Sequence, residues 1–281
     1  QIKGLWPNDD KIITDDGEIS ELFNNHYVNI VEKVSGIPPV ALGYPNDQNE
    51  DNQTVKSIIN EYSNHPSILR IEKEIPVRQD FDIPKATVFQ INRLIRDINV
   101  KKATGPDNIP PRLVKLSANI IDSHLTNIIN SDISRNHFSE NAKIASVIPI
   151  YKKNERNSLE NYRPVSILCC FSKIYEKFLL DKLKPFISTF LSRYMSAYRE
   201  NHSTNHVLIR LTESWRNALD SNKLAGTILM DLSKAFDCIP HDLLIAKLYM
   251  YGLSENSITF IYSSLKRQEQ CVKLNEICST S

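Results

Sequence analysis

The stretch Thr227-Ile228-Leu229-Met230-Asp231-Leu232-Ser233-Lys234-Ala235-Phe236-Asp237 constrains this chain more than any other. Its short apolar run reads as a strand, and it delivers a carboxylate to that strand's end. An aromatic follows five residues after Asp231, with a second acid directly behind it. An acid so placed suits holding Mg²⁺ against a phosphate, and the aromatic suits a gate on a sugar. Spacing alone leaves two readings of Asp231, a metal ligand and the N-cap of a following helix, and the cap is the commoner. Asp237 reads as a capping or turn residue, and Phe236 reads equally well as core.

The rest of the chain is rich in helical patterns. Ile19, Leu22, Phe23, Tyr27, Ile30, Val31 and Val34 share one stripe, ended by Gly36 and Pro38-Pro39. Residues 43–53 are polar and unpatterned, and a short helix is expected over 54–62. Pro84 is expected to open a helix that buries Val88, Ile91, Leu94, Ile95 and Ile98. A turn-rich loop from Lys101 to Pro111 leads into one long helix carrying Leu113 through Ile133. Ala145–Tyr151 reads as a strand, at an edge because of Pro149, with Lys152 and Lys153 on a hairpin tip. Further helices are expected over 172–183, over 205–220, from Pro240 to Gly252, and after Ser254 as N-cap. Gln270–Leu274 reads as a last strand.

Charge is unevenly spread along the 281 residues, although the net is only +1. Residues 1–84 hold 7 basic and 15 acidic side chains, whereas 85–185 hold 17 basic and 9 acidic. The basic third reads either as a phosphate-facing surface or as a solvated face. Five scattered cysteines fit reduced, intracellular thiols better than a secreted disulfide framework. No apolar run has the length of a membrane span. The histidines and cysteines form no metal constellation, and Walker, nucleophile-elbow and dinucleotide motifs are absent from the sequence.

Four ordered blocks carry a family resemblance: Lys101–Pro111, Val147–Lys153, Asn161–Leu168, and Ile228–Asp237 with Ile239-Pro240-His241-Asp242-Leu243-Leu244. Together they resemble the reverse transcriptase of a non-LTR, LINE-type, jockey-like retrotransposon, and the run from Tyr198 to His206 resembles the segment between fingers and palm. The resemblance implies an α+β right-hand polymerase fold. It divides the chain into an accessory extension over 1–84, fingers over 85–225 and a partial palm over 226–281, with the thumb absent.

The resemblance also implies roles. Asp231 matches the first catalytic, metal-binding aspartate, and the Leu232 carbonyl matches a backbone metal ligand. Phe236 matches the aromatic that rejects a ribose 2′-hydroxyl. Arg163 and one of Lys152 or Lys153 match the cations on the incoming triphosphate, while Lys101, Lys102 and Gly105 fall in a block that touches the template. Mg²⁺, an RNA template, a DNA primer or target and deoxynucleotides are the implied cofactor and partners, in the cytoplasm and nucleus. The family's Gly-rich, Gln-containing turn and its aspartate pair do not follow Asp237 here, so the expectation is an incomplete, inactive fragment. A non-catalytic nucleic-acid-binding remnant is the alternative.

Overall fold

A β-hairpin forms one side of the sheet. β1 (Ile144–Tyr151) and β2 (Tyr162–Leu168) pair antiparallel, with Ala145 opposite Leu168 and Tyr151 opposite Tyr162. β3 (Glu269–Leu274) joins the other side of β1 in parallel, and β4 (Ile277–Cys278) pairs antiparallel with β3, so the order is β2-β1-β3-β4. This computed structural model describes residues 13–29, 48–75, 80–232, 235–236, 238–275 and 277–280. Together they form a helix-rich α+β structure with one small mixed sheet.

The expected edge position of Pro149 is met in a specific way. β3 pairs with β1 only from Ile144 to Val147, so β1 is unpaired on that side beyond it. The Lys152 amide donates to the Asn161 carbonyl at 2.8 Å, which sets the alternation along the hairpin. Pro149 and Pro164 then face each other as a non-hydrogen-bonded pair, where neither missing N–H is needed by the partner strand.

Among the described residues, the first helix makes the main helix contact with the sheet. α1 (Asp16–Val28) is capped by Asp15, whose carboxylate accepts from the Glu18 amide. Its stripe packs Ile19, Phe23 and Tyr27 onto Val147, Tyr162 and Val272. Ile19 and Phe23 are fully buried there, which contributes about 1.5–3 kcal/mol each. α2 (Gln48–Glu61) and α3 (Pro66–Glu74) follow, and α2 lays Val55 and Ile58 against α9 (His241–Met250) and α10 (Glu255–Leu265). A buried Asp51–Lys266 ion pair ties α2 to the end of α10. The main core gathers α4 (Val88–Arg96), α6 (Ala118–Arg135), α7 (Cys170–Ser188) and α10 around Tyr175, Phe138 and Phe260.

Several expectations are corrected. Pro84 does not open the helix; Thr87 does, through a reciprocal cap with Gln90 that satisfies two otherwise unpaired amides. The long helix over 113–133 is two helices, α5 (Pro111–Leu116) and α6, broken at Ser117, whose hydroxyl turns back to the Leu113 and Val114 carbonyls. The helix expected over 172–183 extends to Cys170 and Ser188. Ser254 caps α10 as expected, accepting from the Ser257 amide, and α9 gives way to Gly252 at φ 105°. The stop expected at Gly36 and Pro38-Pro39 lies outside the described residues.

The largest correction concerns the strand expected over 227–231. Residues 223–232 form no regular secondary structure and pair with no strand among the described residues. The apolar side chains stand in solvent, with Leu229 and Met230 each 88% exposed. The preceding helix, α8 (Thr204–Asp220), also buries none of its residues.

Candidate nucleic-acid and nucleotide site

The hairpin carries the cations. Lys152 and Lys153 open its loop, Arg163 lies opposite Ile150 on β2, and all three are exposed. The loop between the strands is tied down from within. The Tyr151 hydroxyl donates to the Asn154 carbonyl at 2.5 Å, the Tyr162 hydroxyl to the Arg156 carbonyl at 2.6 Å, and the Asn161 amide nitrogen to the Glu155 carbonyl at 2.8 Å. Asn154 adopts a left-handed conformation that asparagine tolerates, which turns the chain just past the lysines. These bonds hold the lysines on a defined turn.

Arg156, not singled out from the sequence, belongs to the same cluster: its guanidinium stacks over the Tyr151 ring at 4.8 Å. The signal was its place in the basic block, which by itself does not separate ordered cations from solvated ones. Lys143 shows the converse. It belongs to that block, but its side chain is buried against Glu140 at 2.8 Å. Burial pushes its ammonium below the usual lysine range, partly offset by Glu140. It is therefore not part of any phosphate-facing surface.

The second basic element lies at the root of the hairpin. Lys101 and Lys102 sit in a turn that Asn99 closes: its side chain accepts from the Lys101 amide at 2.9 Å and its carbonyl from the Lys102 amide at 3.1 Å. Both lysines are exposed, whereas Gly105 is buried. A Cβ on Gly105 would lie 2.5 Å from the Cys169 Cα and 2.8 Å from the Leu168 carbonyl carbon. That junction is where β2 passes into α7, so the missing side chain is what lets the loop lie against the base of the hairpin.

The acid and its neighbours stand apart. Asp231 and Leu232 are exposed on the unpaired segment, and Asp231 forms no ion pair or hydrogen bond among the described residues. The segment's observed anchors are local: the Trp215 indole donates to the Thr227 hydroxyl at 2.9 Å, and Phe236 meets Tyr198 edge-to-face at 6.1 Å. Phe236 is 72% exposed. Asp237 lies outside the described residues. Among those described, no three His, Cys, Asp or Glu side chains gather into a group able to hold a metal ion. One exposed carboxylate and one carbonyl do not fit a two-metal centre, which needs several carboxylates to hold its ions about 3.5–4 Å apart.

The structure thus brings Lys152, Lys153 and Arg163 together and sets the Lys101–Gly105 loop at the hairpin's root. Among the described residues, no hydrogen bond, ion pair or ring contact joins Asp231, Leu232 or Phe236 to them. Among the described residues, no helix is long and apolar enough to cross a membrane.

Residues 150–278 match the family described as reverse transcriptase (RNA-dependent DNA polymerase). The chain is 28% identical over 177 residues to a probable RNA-directed DNA polymerase from transposon BS of Drosophila melanogaster, covering 62% of this chain and 20% of that protein. It is 27% identical over 177 residues to the RNA-directed DNA polymerase from mobile element jockey of the same species, covering 62% and 19%. The Drosophila funebris jockey polymerase is 24% identical over 198 residues, covering 69% and 22%. The chain spans about a fifth of the length of these relatives.

Proposed function

We propose that this chain, which matches the reverse transcriptase family over residues 150–278, is the nucleotide- and template-binding part of an RNA-directed DNA polymerase of the non-LTR mobile-element kind. The observation that carries this reading is the internally braced hairpin with Lys152, Lys153 and Arg163, which lies within the matched stretch. Arg163 offers a planar fork to the oxygens of an incoming triphosphate, and the lysines add compact point charges. Phe236 is the residue proposed to exclude a ribose 2′-hydroxyl, and Asp231 with the Leu232 carbonyl to form one side of the metal-holding set. Polymerases of this family use divalent metal ions, with Mg²⁺ proposed here. Residues 1–84 are read as an accessory extension, 85–225 as fingers and 226–281 as part of a palm. The setting is proposed to be intracellular, with an RNA template and a DNA primer or target as partners.

The 281 residues alone are proposed to bind primed template without extending it, because Asp231 stands on an unpaired segment with no carboxylate partners among the described residues. Binding is tested by fluorescence anisotropy on an RNA template annealed to a DNA primer, across a salt series. Neutralising Lys152, Lys153 and Arg163 together to glutamine is expected to weaken binding about tenfold or more. The same change should lower the logarithmic salt slope by roughly two to three. An unchanged affinity and slope, or no binding at low salt, would remove the basis of the proposal.

A further inference from the structure

Behind the Lys101–Gly105 loop lies a hollow of about 290 Å³, between the end of α4 and the first turns of α7. Its floor is apolar, formed by Leu94, Ile98, Pro111 and Ile174. Its rim is cationic: Lys102 comes from the loop, while Lys173 and Lys177 stand one helical turn apart on α7, and Asp97 is the rim's one carboxylate. None of the three lysines is locked in a strong pair. Lys102 is exposed, Lys173 reaches the Ala103 carbonyl only at 3.5 Å, and Lys177 meets Asp181 in an exposed i,i+4 pair at 3.0 Å. Such a pair is weak in water and exchanges readily for another anion. The loop's own apolar side chains leave the hollow open, since Val100 and Ile109 both remain exposed.

We propose that this hollow takes one unstacked base of single-stranded RNA, with the phosphates on either side held by Lys102, Lys173 and Lys177. The inference rests on the preceding template-binding reading, with Lys101–Gly105 as the block that the sequence resemblance places on the template. It adds a base-holding subsite and two α7 lysines to that reading. An apolar face flanked by cations complements a flat ring carried between two phosphates, because the ring leaves water while the charges stay paired. The volume lies at the lower end of ligand-binding cavities, about 300–1,000 Å³, which suits a single ring system and excludes a base pair.

The test uses the whole 281-residue chain and two fluorescent probes of about a dozen units, an oligoadenylate and a ribose-phosphate chain lacking bases. The oligoadenylate is expected to bind about tenfold more tightly. Leu94→Trp, which fills the hollow, should abolish that advantage and leave binding of the base-free chain unchanged. Exchanging Lys102, Lys173 and Lys177 for glutamine on the surface, a change that leaves the core intact, should weaken both probes and flatten the salt dependence. Thermal melts of both variants verify folding. Equal binding of the two probes by the native chain overturns this inference alone. An advantage that survives both variants does the same, and failure of both probes to bind at low salt overturns the template-binding reading as well.

Discussion

Replacing Gly105 with alanine is expected to lower the melting temperature by about 2–5 °C. Gly105 is needed here for space. The added methyl would meet the Cys169 amide nitrogen at 2.6 Å and its Cα at 2.5 Å, and these are main-chain atoms at the β2–α7 junction. No rotamer change relieves such a contact, so the loop must lift away or the junction must move. Forcing a methyl into a filled site costs about 1–3 kcal/mol. Because the loop carries Lys101 and Lys102, the same substitution should also weaken RNA binding. Lys101→Gln provides the control: it is expected to reduce binding while leaving the melt unchanged. A Gly105→Ala protein that melts with the native one would show that the close approach of loop and hairpin is wrong.

Tyr175→Ala is expected to destabilise the protein by about 3–5 kcal/mol, measured by denaturant unfolding. Tyr175 is fully buried and stacks on Phe138 at 4.7 Å, with Phe171 at 5.6 Å and Phe260 at 6.1 Å. Truncation leaves a ring-sized void where α6, α7 and α10 meet, and close-packed neighbours fill such a void only in part. Tyr175→Phe separates ring from hydroxyl. The hydroxyl lies 3.4 Å from the Asp132 carboxylate, a long contact, so its loss should cost no more than about 1 kcal/mol. Comparable costs for the two substitutions would mean that the hydroxyl, and not the aromatic packing, holds this core.

Local signals were legible where local chemistry decides the outcome. The helix expected over 205–220 forms over 204–220, the strand over 270–274 forms over 269–274, and Ser254 caps as its position suggested. The paired lysines fall on a hairpin loop, as the strand read before them suggested, because β1 turns back to pair with β2, which was not read as a strand. Breaks depended on competing bonds a residue or two away: Thr87 with Gln90 overrode Pro84, and the Ser117 hydroxyl divided one apolar stripe into two helices. The α1 stripe announced a buried face, but its partner, the face holding Val147 and Val272, is distant in sequence and was not readable from the stripe.

Residues 227–231 were misread for a related reason. Apolar β-formers state a preference, while a strand also needs a partner's amides and carbonyls, and none of the described strands reaches Ile228-Leu229-Met230. The roles of Asp231 and Phe236 therefore rest on sequence resemblance, whereas the grouping of Lys152, Lys153 and Arg163 is visible in the fold.

We propose that this chain binds a primed template through the hairpin, while among the described residues no set of metal-holding carboxylates is assembled. Primer extension on an annealed RNA template with Mg²⁺ and deoxynucleotides, run beside a binding measurement on the same sample, tests it most directly. Saturable, salt-sensitive binding and no template-dependent extension are the expected results. Extension that depends on the template and disappears in Asp231→Asn would contradict it.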